Sequence, residues 1–523
     1  MTTASRFEEG DEAEHVPPLR ADIRLEPLPA DACTVVDVAL GRRVKLDARG
    51  AKVARALDIS QTLDALAARV GGEPESLARA LEGFTKLHLL ETPEARRLAD
   101  DGAATQAMVA HAVADVPFLT RPEARFTCTM CGSCCGGHNV GPVNAGELAA
   151  LQPHLARLEA ATGSTKGLFL SLPGAAVGTQ VLCHSAGGSC VFLTEDRRCR
   201  IHAEIGPTLK PRPCRIFPYE FIATPRGIAV TIQRECRGFA EAREGRLLSE
   251  SLDELREVAA LAGRLPNVRP IIKFQGGQTL DWTAYEAIEE TLHAIVDDEA
   301  HARDPSATLV AMARAIAAAR GTPAPHTDAP SPHTSDATPD PGPTLGADLA
   351  AIAATITTAM QQMKQQVPAP TAELLVRADG LDHALHALAT LRPDFARIVH
   401  PLERPDQRSL FRDHLHHGLM AKELLIADTL EAGFGRMVFE WMLAKALAIH
   451  RAREVKRRHL VTQDVMDGLV VVSFLFRHDY FQKALLPGLD ARITALFFER
   501  LGALVAHAAR VPEPDTRTEL VKF

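Results

Sequence analysis

The chain has 523 residues, of which 46% are hydrophobic, and a formal net charge of −8. This length allows roughly three domains of ~150 residues, each able to bury a core, and the acidic balance argues against a dedicated nucleic-acid-binding protein. No apolar run approaches the ~20 residues that a membrane helix needs, and the first residues are polar and acidic rather than a signal segment. We therefore expect a cytoplasmic protein that binds neither nucleic acid nor membrane.

The N-terminal part predicts an acidic, disordered tail over residues 1–20 and a small domain over residues 21–100. A β-branched run at residues 33–38 and a second strand at residues 43–46 flank a Gly-Arg turn, which predicts a hairpin. Three short helices with apolar faces follow, the first of them capped by Asp47. A few strands followed by short helices are typical of a winged helix.

The same region resembles the PqqD-like peptide-recognition domains. The resemblance rests on V-D-V-A-L-G-R-R-V-K-L-D at residues 36–47 and on L-L-E-T at residues 89–92. In that family a leader peptide adds a strand to the edge of the sheet and contacts the third helix. The resemblance implies that a peptide or protein substrate docks on residues 21–100. The alternative is a winged helix that serves only as a packing module.

The middle of the chain is organised around the run Cys-Thr-Met-Cys-Gly-Ser-Cys-Cys at residues 128–135. Nine of the ten cysteines lie between Cys128 and Cys236, and only Cys33 lies outside this stretch. Thiolates this close repel one another unless they share a cation, so a metal ion or an iron–sulfur cluster is expected. A disulfide framework suits small secreted domains, and ordinary core cysteines would not follow this spacing.

About residues 118–240 resemble the Cys-x-x-Cys-x-x-Cys-Cys (YkgJ-type) family of zinc- or iron-chelating domains. The segments at residues 190–202, 210–218 and 236–238 resemble the later cysteine motifs of that family, with Lys210 in place of an arginine. The resemblance implies eight metal ligands: Cys128, Cys131, Cys134, Cys135, Cys190, Cys199, Cys214 and Cys236. Cys183 has no counterpart in the family and is interpreted as a core thiol or a thiol beside the ligands.

The bound metal is either zinc or an iron–sulfur cluster, and a four-iron cluster is favoured. Thiolates suit both, but the spacing lacks the two separated Cys-x-x-Cys knuckles of common zinc ribbons. The adjacent Cys134 and Cys135 fit one zinc ion poorly and are easier to place if one of them serves a second centre. Arg212 and Arg215 flank Cys214, and their charge is predicted to offset that of a thiolate-bound cluster.

Residues 101–319 are predicted to combine the metal domain with a helical extension, and residues 320–346 to form a disordered linker rich in Pro, Thr and Asp. The linker is expected to separate two independently folded halves. Helical periodicity returns over residues 347–510, with helices at 411–432 and 437–451 among others, ahead of a tail at 511–523. The predicted fold class is α+β and mostly helical.

The C-terminal domain contains histidines and carboxylates that could bind a metal: His414, His416, His417, Glu423, Asp428 and His478. No Glu-x-x-His repeat is present, so these residues are predicted to lie on solvated helix faces. About residues 405–505 also resemble the helical part of the bacterial flagellin lysine N-methylases, through a segment that ends in Arg477-His478. That resemblance implies S-adenosylmethionine as the methyl donor, but the sequence lacks the Gly-rich turn that usually holds this donor.

Three functions are compatible with these patterns. The first is a cysteine-cluster protein in which an iron–sulfur cluster or zinc is structural or carries electrons. The second is an enzyme that modifies a protein or peptide, with lysine methylation as its most specific form, since docking a tail raises its concentration at the active site. The third is metal storage or delivery, which requires exposed and exchangeable thiolates.

Overall fold

The computed structural model describes residues 15–71, 74–110, 115–135, 142–164, 167–171, 178–185, 189–241, 244–302, 304–321, 342–366, 384–386, 405–457, 459–477, 482 and 485–510. The fold is mostly helical with several small sheets, which confirms the predicted α+β class. In these ranges no helix is both long enough and apolar enough to cross a membrane. Most of the predicted linker and both chain ends lie outside the described residues.

The N-terminal domain combines small sheets with three helices. Its strands are β1 (His15–Val16), β2 (Ile23–Pro27), β3 (Cys33–Asp37), β4 (Arg42–Leu46) and β5 (Gln61–Thr62), and its helices are α1 (Ala48–Ala56), α2 (Leu63–Val70) and α3 (Pro74–Lys86). One antiparallel sheet has the strand order β2-β3-β4, and β1 pairs with β5. Asp47 caps α1 by accepting a hydrogen bond from the backbone N–H of Gly50, and Thr62 caps α2 through Ala65. The structure thus contains the predicted hairpin and helices.

This domain begins earlier than its composition predicts. Residues 1–20 read as a tail, yet His15–Val16 forms β1 and Arg20 is only 1% exposed. Arg20 donates to Asp37 Oδ1 at 2.6 Å and to the carbonyl oxygen of His88 at 2.8 Å. Because a buried guanidinium requires such partners, Arg20 ties the start of the described chain to β3 and to the segment after α3.

The middle of the chain consists of short elements joined by loops, and α4 (Pro93–Ala110) leads into it. Its strands are β6 (Phe118–Leu119), β7 (Arg125–Phe126), β8 (Phe169–Leu170), β9 (Val181–Leu182), β10 (Tyr219–Thr224), β11 (Gly227–Ile232) and β12 (Arg246–Leu247). Its helices are α5 (Ala145–Leu151), α6 (Leu155–Thr162), α7 (Arg200–Ile205), α8 (Arg212–Ile216), α9 (Gly238–Glu241) and α10 (Leu252–Ala262). Strands β10 and β11 form an antiparallel hairpin, and β6 extends the sheet parallel to β11.

The rest of the described chain is helical apart from a small hairpin of β13 (Ile272–Lys273) and β14 (Thr279–Leu280). The helical extension contains α11 (Trp282–Asp297), α12 (Glu299–Ala302) and α13 (Pro305–Ala319). The C-terminal region contains α14 (Gly342–Gln366), α15 (Pro405–Met420), α16 (Leu430–Glu454), α17 (Thr462–Arg477), α18 (Leu486–Thr494) and α19 (Leu501–Arg510). Helix α14 therefore starts within the last residues that composition assigns to the linker.

One long helix, α16, replaces the two helices predicted on either side of residues 433–436. Thr429 caps it by accepting a hydrogen bond from Ala432 N. A Cβ at Gly433 would overlap the carbonyl oxygen of Leu424, and a Cβ at Gly435 would lie 3.2 Å from the carbonyl oxygen of Ile493. These glycines therefore allow neighbouring backbone to pack closely against the helix instead of ending it.

The helical extension and the C-terminal helices share one hydrophobic core. It joins Leu292 of α11, Met312 of α13, Leu349 of α14 and Val438 of α16, each at most 2% exposed. The prediction of two independently folded halves is therefore wrong at the level of packing, because apolar faces on both sides of the linker cover each other. The N-terminal domain has a separate core of its own.

Candidate metal centre

The eight predicted ligands reach one region from four chain segments. Cys128, Cys131, Cys134 and Cys135 follow β7, Cys190 and Cys199 precede α7, Cys214 lies in α8, and Cys236 follows β11. None of the ten cysteines, all of which belong to the described residues, forms a disulfide. The convergence of distant segments on a cysteine-rich region is what the family resemblance implies.

The first cysteine run is a loop shaped by positive φ angles at Met130 (50°) and Gly132 (71°). The following turn is closed by a hydrogen bond from Cys135 N to Gly132 O at 3.0 Å. A Cβ at Gly132 would sit 3.3 Å from Arg197 Cβ, so the loop packs directly on the later cysteine segment. Cys190 N donates to Cys135 O at 2.6 Å and joins the two segments through the backbone.

Cys236 approaches the same region from the β10–β11 hairpin. Its backbone N–H donates to Gln233 O at 3.0 Å. Gly238 has no room for a side chain, because a Cβ there would lie 2.7 Å from Phe126 Cε2 and 3.3 Å from Cys236 Sγ. Since Phe126 precedes Cys128 by two residues, this close packing brings Cys236 beside the start of the first cysteine run.

A cavity of about 680 Å³ lies between these segments and is called the cysteine cavity below. Its lining includes six of the eight predicted ligands: Cys128, Cys134, Cys135, Cys190, Cys199 and Cys214. The side chains of Lys210, Arg197 and Arg198 share the lining with the apolar Phe192 and Ile201. Six cysteines therefore border a space large enough for an inorganic centre, with positive charge in its wall.

The two adjacent cysteines influence each other strongly. Their Sγ atoms are 3.9 Å apart. The hydrogen bond from Cys135, helped by the positive charge of Lys210, lowers the pKa of Cys134 to about 6. The same hydrogen bond, together with burial and the charge of Cys134, raises the pKa of Cys135. Cys134 is thus the thiol in this pair that ionises first.

Burial dominates the pKa values of the later cysteines. Burial and neighbouring thiolates raise the pKa of Cys190 to about 12, and the same causes raise that of Cys236 to about 12. Cys134 is among the contributing neighbours of both. Burial also raises the pKa of Cys214, while Lys210 opposes the shift. A bound metal cation would reverse this direction because it stabilises thiolates.

The donor set suits a soft metal or an iron–sulfur cluster, since it consists of cysteine sulfur beside basic side chains. Among the described residues, no three of these side chains are already gathered as tightly as the ligands of one ion. Repelling thiols have no reason to converge on one point without a cation, so a final contraction of the loops is expected to accompany metal binding.

Comparison with known protein families matches residues 127–237 to the CxxCxxCC family, described as "Putative zinc- or iron-chelating domain". We call residues 127–237 the CxxCxxCC domain below. The match confirms the family inferred from the cysteine run and supports metal binding in general terms. No curated protein and no solved structure matches the chain. The PqqD-like and methylase resemblances therefore stay predictions.

The two arginines predicted to balance a cluster lie on α8 of the CxxCxxCC domain, but neither lines the cysteine cavity. The backbone N–H of Arg212 donates to Glu147, and Arg215 is directed to a backbone carbonyl oxygen at 3.4 Å. Lys210 takes the expected position instead, and its charge acts on Cys134. The sequence signal for Lys210 is its place at an arginine position of the family motif.

Cys183 lies beside the predicted ligands of the CxxCxxCC domain, as its interpretation requires. It is 7% exposed, and its carbonyl oxygen accepts a hydrogen bond from Val191 N at 3.0 Å. Its charge contributes to the raised pKa of Cys190. Cys33 is fully buried in the N-terminal domain, away from this region.

Three histidines predicted on solvated faces are buried on α15, which packs against β11 and α11: His414, His416 and His417. Thr231 Oγ1 of β11 lies 3.1 Å from His417 Nδ1. The side chain of Glu423 is 11% exposed, whereas that of Asp428 is 81% exposed. His478 lies outside the described residues. The prediction is wrong for the histidines because a tertiary contact covers their helix.

Proposed function

We propose that the CxxCxxCC domain binds an iron–sulfur cluster through its cysteines and that this cluster takes part in the modification of a protein or peptide. The observation that carries the first part is the cysteine cavity, in which six cysteines border about 680 Å³ together with Lys210, Arg197 and Arg198. A structural zinc ion needs only four ligands and no such space. Basic side chains suit a thiolate-bound cluster, because local charge helps to set its reduction potential.

We divide the ligands into two sets of four, because Cys190 and Cys199 act on Cys135 and Cys214, whereas Cys128 and Cys131 act on Cys236. One set is Cys135, Cys190, Cys199 and Cys214, and the other is Cys128, Cys131, Cys134 and Cys236. Cys134 influences members of both sets and lies at their boundary. In this division the adjacent Cys134 and Cys135 serve different centres, which avoids placing two consecutive side chains on one ion.

Elemental analysis of anaerobically purified full-length protein tests this proposal by measuring iron, zinc and acid-labile sulfide. We expect iron and sulfide in matching amounts, whereas zinc without sulfide would overturn the iron–sulfur assignment. The variants Cys131→Ser and Cys214→Ser each remove one ligand from one set and should each lose about half of the iron. Loss of all the iron in either variant, with the fold retained, would contradict the division into two sets.

The second part of the proposal rests on the N-terminal domain. Strands β2 and β4 are the outer strands of its sheet, and Val38, in the turn between β3 and β4, is 53% exposed. An extended peptide can bind such an edge through main-chain hydrogen bonds, while exposed apolar side chains add contact area. Docking there would raise the concentration of a substrate tail near the metal domain.

Selection of random peptides on the full-length protein tests this docking. Peptides that bind the wild type should lose binding to Val38→Asp and keep it with the control Val455→Asp, whose position on the C-terminal side is 59% exposed. Equal binding to both variants would mean that the peptide does not dock on the N-terminal sheet. Calorimetry with S-adenosylmethionine would specify methyl transfer as the modification, and the absence of heat would argue against it.

A further inference from the structure

Residues 210–214 form part of the wall of the cysteine cavity. Lys210, Pro211, Pro213 and Cys214 all line this cavity. Cys214 lies in the middle of α8, which has only five residues. A helix this short contributes little stability of its own, so contacts from outside α8 must decide where the thiol of Cys214 and the charge of Lys210 are placed.

The first turn of α8 has one backbone donor that needs a partner from elsewhere, the N–H of Arg212. Pro211 precedes the helix without capping it, and Pro213 has no N–H. The N–H of Cys214 donates to the carbonyl oxygen of Pro211 at 2.9 Å. The N–H of Arg212 donates to Oε1 of Glu147, 65 residues earlier in the chain. Glu147 therefore supplies the cap that the proline-rich start of α8 lacks.

Glu147 is itself held in place by α5, where it is the third helical residue and belongs to a capping box. Its backbone N–H donates to Asn144 Oδ1 at 2.9 Å, and the backbone N–H of Asn144 donates to Glu147 Oε2 at 2.9 Å. A capping box by itself serves only its own helix. Here the second carboxylate oxygen binds another helix, so α5 orients the group that holds the start of α8.

Helix α5 is a firm base for this contact because it belongs to the core beneath the cysteine cavity. Leu151, the last residue of α5, is 1% exposed and shares a core with Cys190 and Phe192, which both line the cavity. Just before α5, Val143 and Gln180 exchange backbone hydrogen bonds at 2.7 and 3.0 Å. The carboxylate of Glu147 thus joins the core that contains Cys190 to the segment that contains Cys214.

We propose that Glu147 is a positioning residue of the metal centre, which holds residues 210–214 where Cys214 binds metal and Lys210 offsets its thiolates. Glu147 is not among the described residues that line the cysteine cavity, so it acts through α8 and not as a ligand. The proposal rests on the proposed set of ligands that contains Cys214. A hydrogen bond to a carboxylate is stronger than one between neutral groups, and loss of such a supporting group weakens metal binding by about 10–100-fold.

Iron release from anaerobically purified, full-length protein to a ferrous-iron chelator tests the proposal. In Glu147→Ala, the half of the iron that the Cys214 set binds should be released about 10–100-fold faster than in the wild type. The other half should be released at the wild-type rate. Asn144→Ala is the matched control, because it removes a side-chain acceptor of the α5 cap but keeps the backbone N–H that donates to Glu147. It should release iron as the wild type does.

Arg212→Pro removes the same hydrogen bond from its other end. Proline is well tolerated at the first position of a helix, and this change leaves the capping box of α5 intact. The variant should release iron as fast as Glu147→Ala, and the double variant should release it no faster than either, because both changes remove one interaction. If Glu147→Ala fails to fold, Arg212→Pro provides the test.

The cysteine variants show whether the effect is confined to one set. Glu147→Ala should accelerate release of the iron that remains in Cys131→Ser and leave the release from Cys214→Ser unchanged. Wild-type release in Glu147→Ala would overturn the proposal, and so would equally fast release in Asn144→Ala, which would mean that only the stability of α5 matters. Zinc without sulfide in the wild type would contradict the iron–sulfur assignment alone, since zinc release from the same variants would still test Glu147.

Discussion

The cysteine cavity and a second cavity, of about 250 Å³, flank the same β10–β11 hairpin, but their charges are balanced in opposite ways. We call the second one the polar cavity, because its lining includes Glu220, Arg234, Glu423, Glu440 and Arg477. In the cysteine cavity, thiols from three chain segments border the same space, and as thiolates they repel one another unless they share a cation. In the polar cavity, Arg234 and Arg477 already pair with carboxylates of the chain itself. The folded structure of the first region therefore depends on bound metal. The ion pairs of the second region form without any ligand and belong to its junction with the C-terminal helices.

The two regions should differ most clearly in their response to removal of the metal. Chelation of the holoprotein is expected to expose backbone amides throughout residues 127–237, because metal binding and folding are coupled in such domains. Amides of α16 should stay protected, since that helix is almost wholly buried in a core without cysteine. Hydrogen exchange measures both regions in one experiment.

The substitution Cys134→Ser should reproduce part of the effect of chelation, with loss of about half of the metal, and Cys183→Ser is the matched control. Both cysteines lie in the CxxCxxCC domain, but only Cys134 lines the cysteine cavity. Full metal loading in Cys134→Ser, or loss of metal in Cys183→Ser, would show that the assignment of ligands is wrong.

Separating the two sides of the linker tests the permanence of the junction. Residues 1–321 and 342–523 produced alone are expected to aggregate, because each exposes the apolar faces that form the shared core. Produced together, they should assemble into a complex that elutes at the size of the intact protein. If each fragment is instead monomeric and unfolds cooperatively, neither fragment needs the shared core in order to fold.

Arg234→Ala should destabilise the protein by about 3–5 kcal/mol, because it leaves Glu423 and Glu440 buried with an uncompensated charge. The side chain of Arg234 is only 2% exposed. Arg269→Ala removes an exposed pair with Asp428 and should cost no more than about 1 kcal/mol. Urea denaturation of both variants measures the two losses in free energy of unfolding. Similar losses would mean that the buried ion pairs of Arg234 stabilise the protein no more than an exposed pair does.

Gly433→Ala tests how tightly the helices around the polar cavity are packed. An alanine normally stabilises a helix by about 1 kcal/mol relative to glycine, but here its Cβ would overlap the carbonyl oxygen of Leu424. We expect a net loss of about 1–3 kcal/mol. Gly488→Ala is the control in α18, where nothing lies within 4 Å of the new Cβ. The melting temperature should therefore fall in Gly433→Ala and rise in Gly488→Ala.

The last prediction concerns the pH dependence of stability. In the folded protein the pKa of Glu423 rises from 4.5 to about 7, chiefly through burial. The folded state thus holds this proton more tightly, so the contribution of Glu423 to stability is present below pH 4.5 and is lost as the pH rises through about 7. The difference in free energy of unfolding between wild type and Glu423→Gln should follow this course, and a flat difference would contradict it.

Local patterns allowed most of the N-terminal domain to be predicted. The β-branched run and the turn placed the hairpin, and Asp47 marked the start of the first helix, because capping depends on neighbours in the chain. Its true start was missed, since Arg20 is ordered by Asp37 and by the carbonyl oxygen of His88. Those partners are distant in sequence and leave no local pattern.

The boundary predicted at residues 433–436 shows how a glycine can be ambiguous in sequence. Gly433 and Gly435 lie between the helices predicted at 411–432 and 437–451, and they mark places where the backbone of Leu424 and Ile493 comes close to α16. A glycine that ends a helix and a glycine that admits a neighbour look the same in sequence. Only the positions of the neighbouring elements distinguish them.

The sequence by itself determined the CxxCxxCC domain, because close cysteines repel unless a cation joins them and their spacing is therefore informative without a structure. It also determined the mostly helical α+β class through apolar periodicity. Tertiary structure alone decided that Lys210, rather than Arg212 or Arg215, lines the cysteine cavity, and that Glu423 meets Arg234. Such pairings join residues far apart in the chain, and their energies depend on burial, which no local pattern encodes.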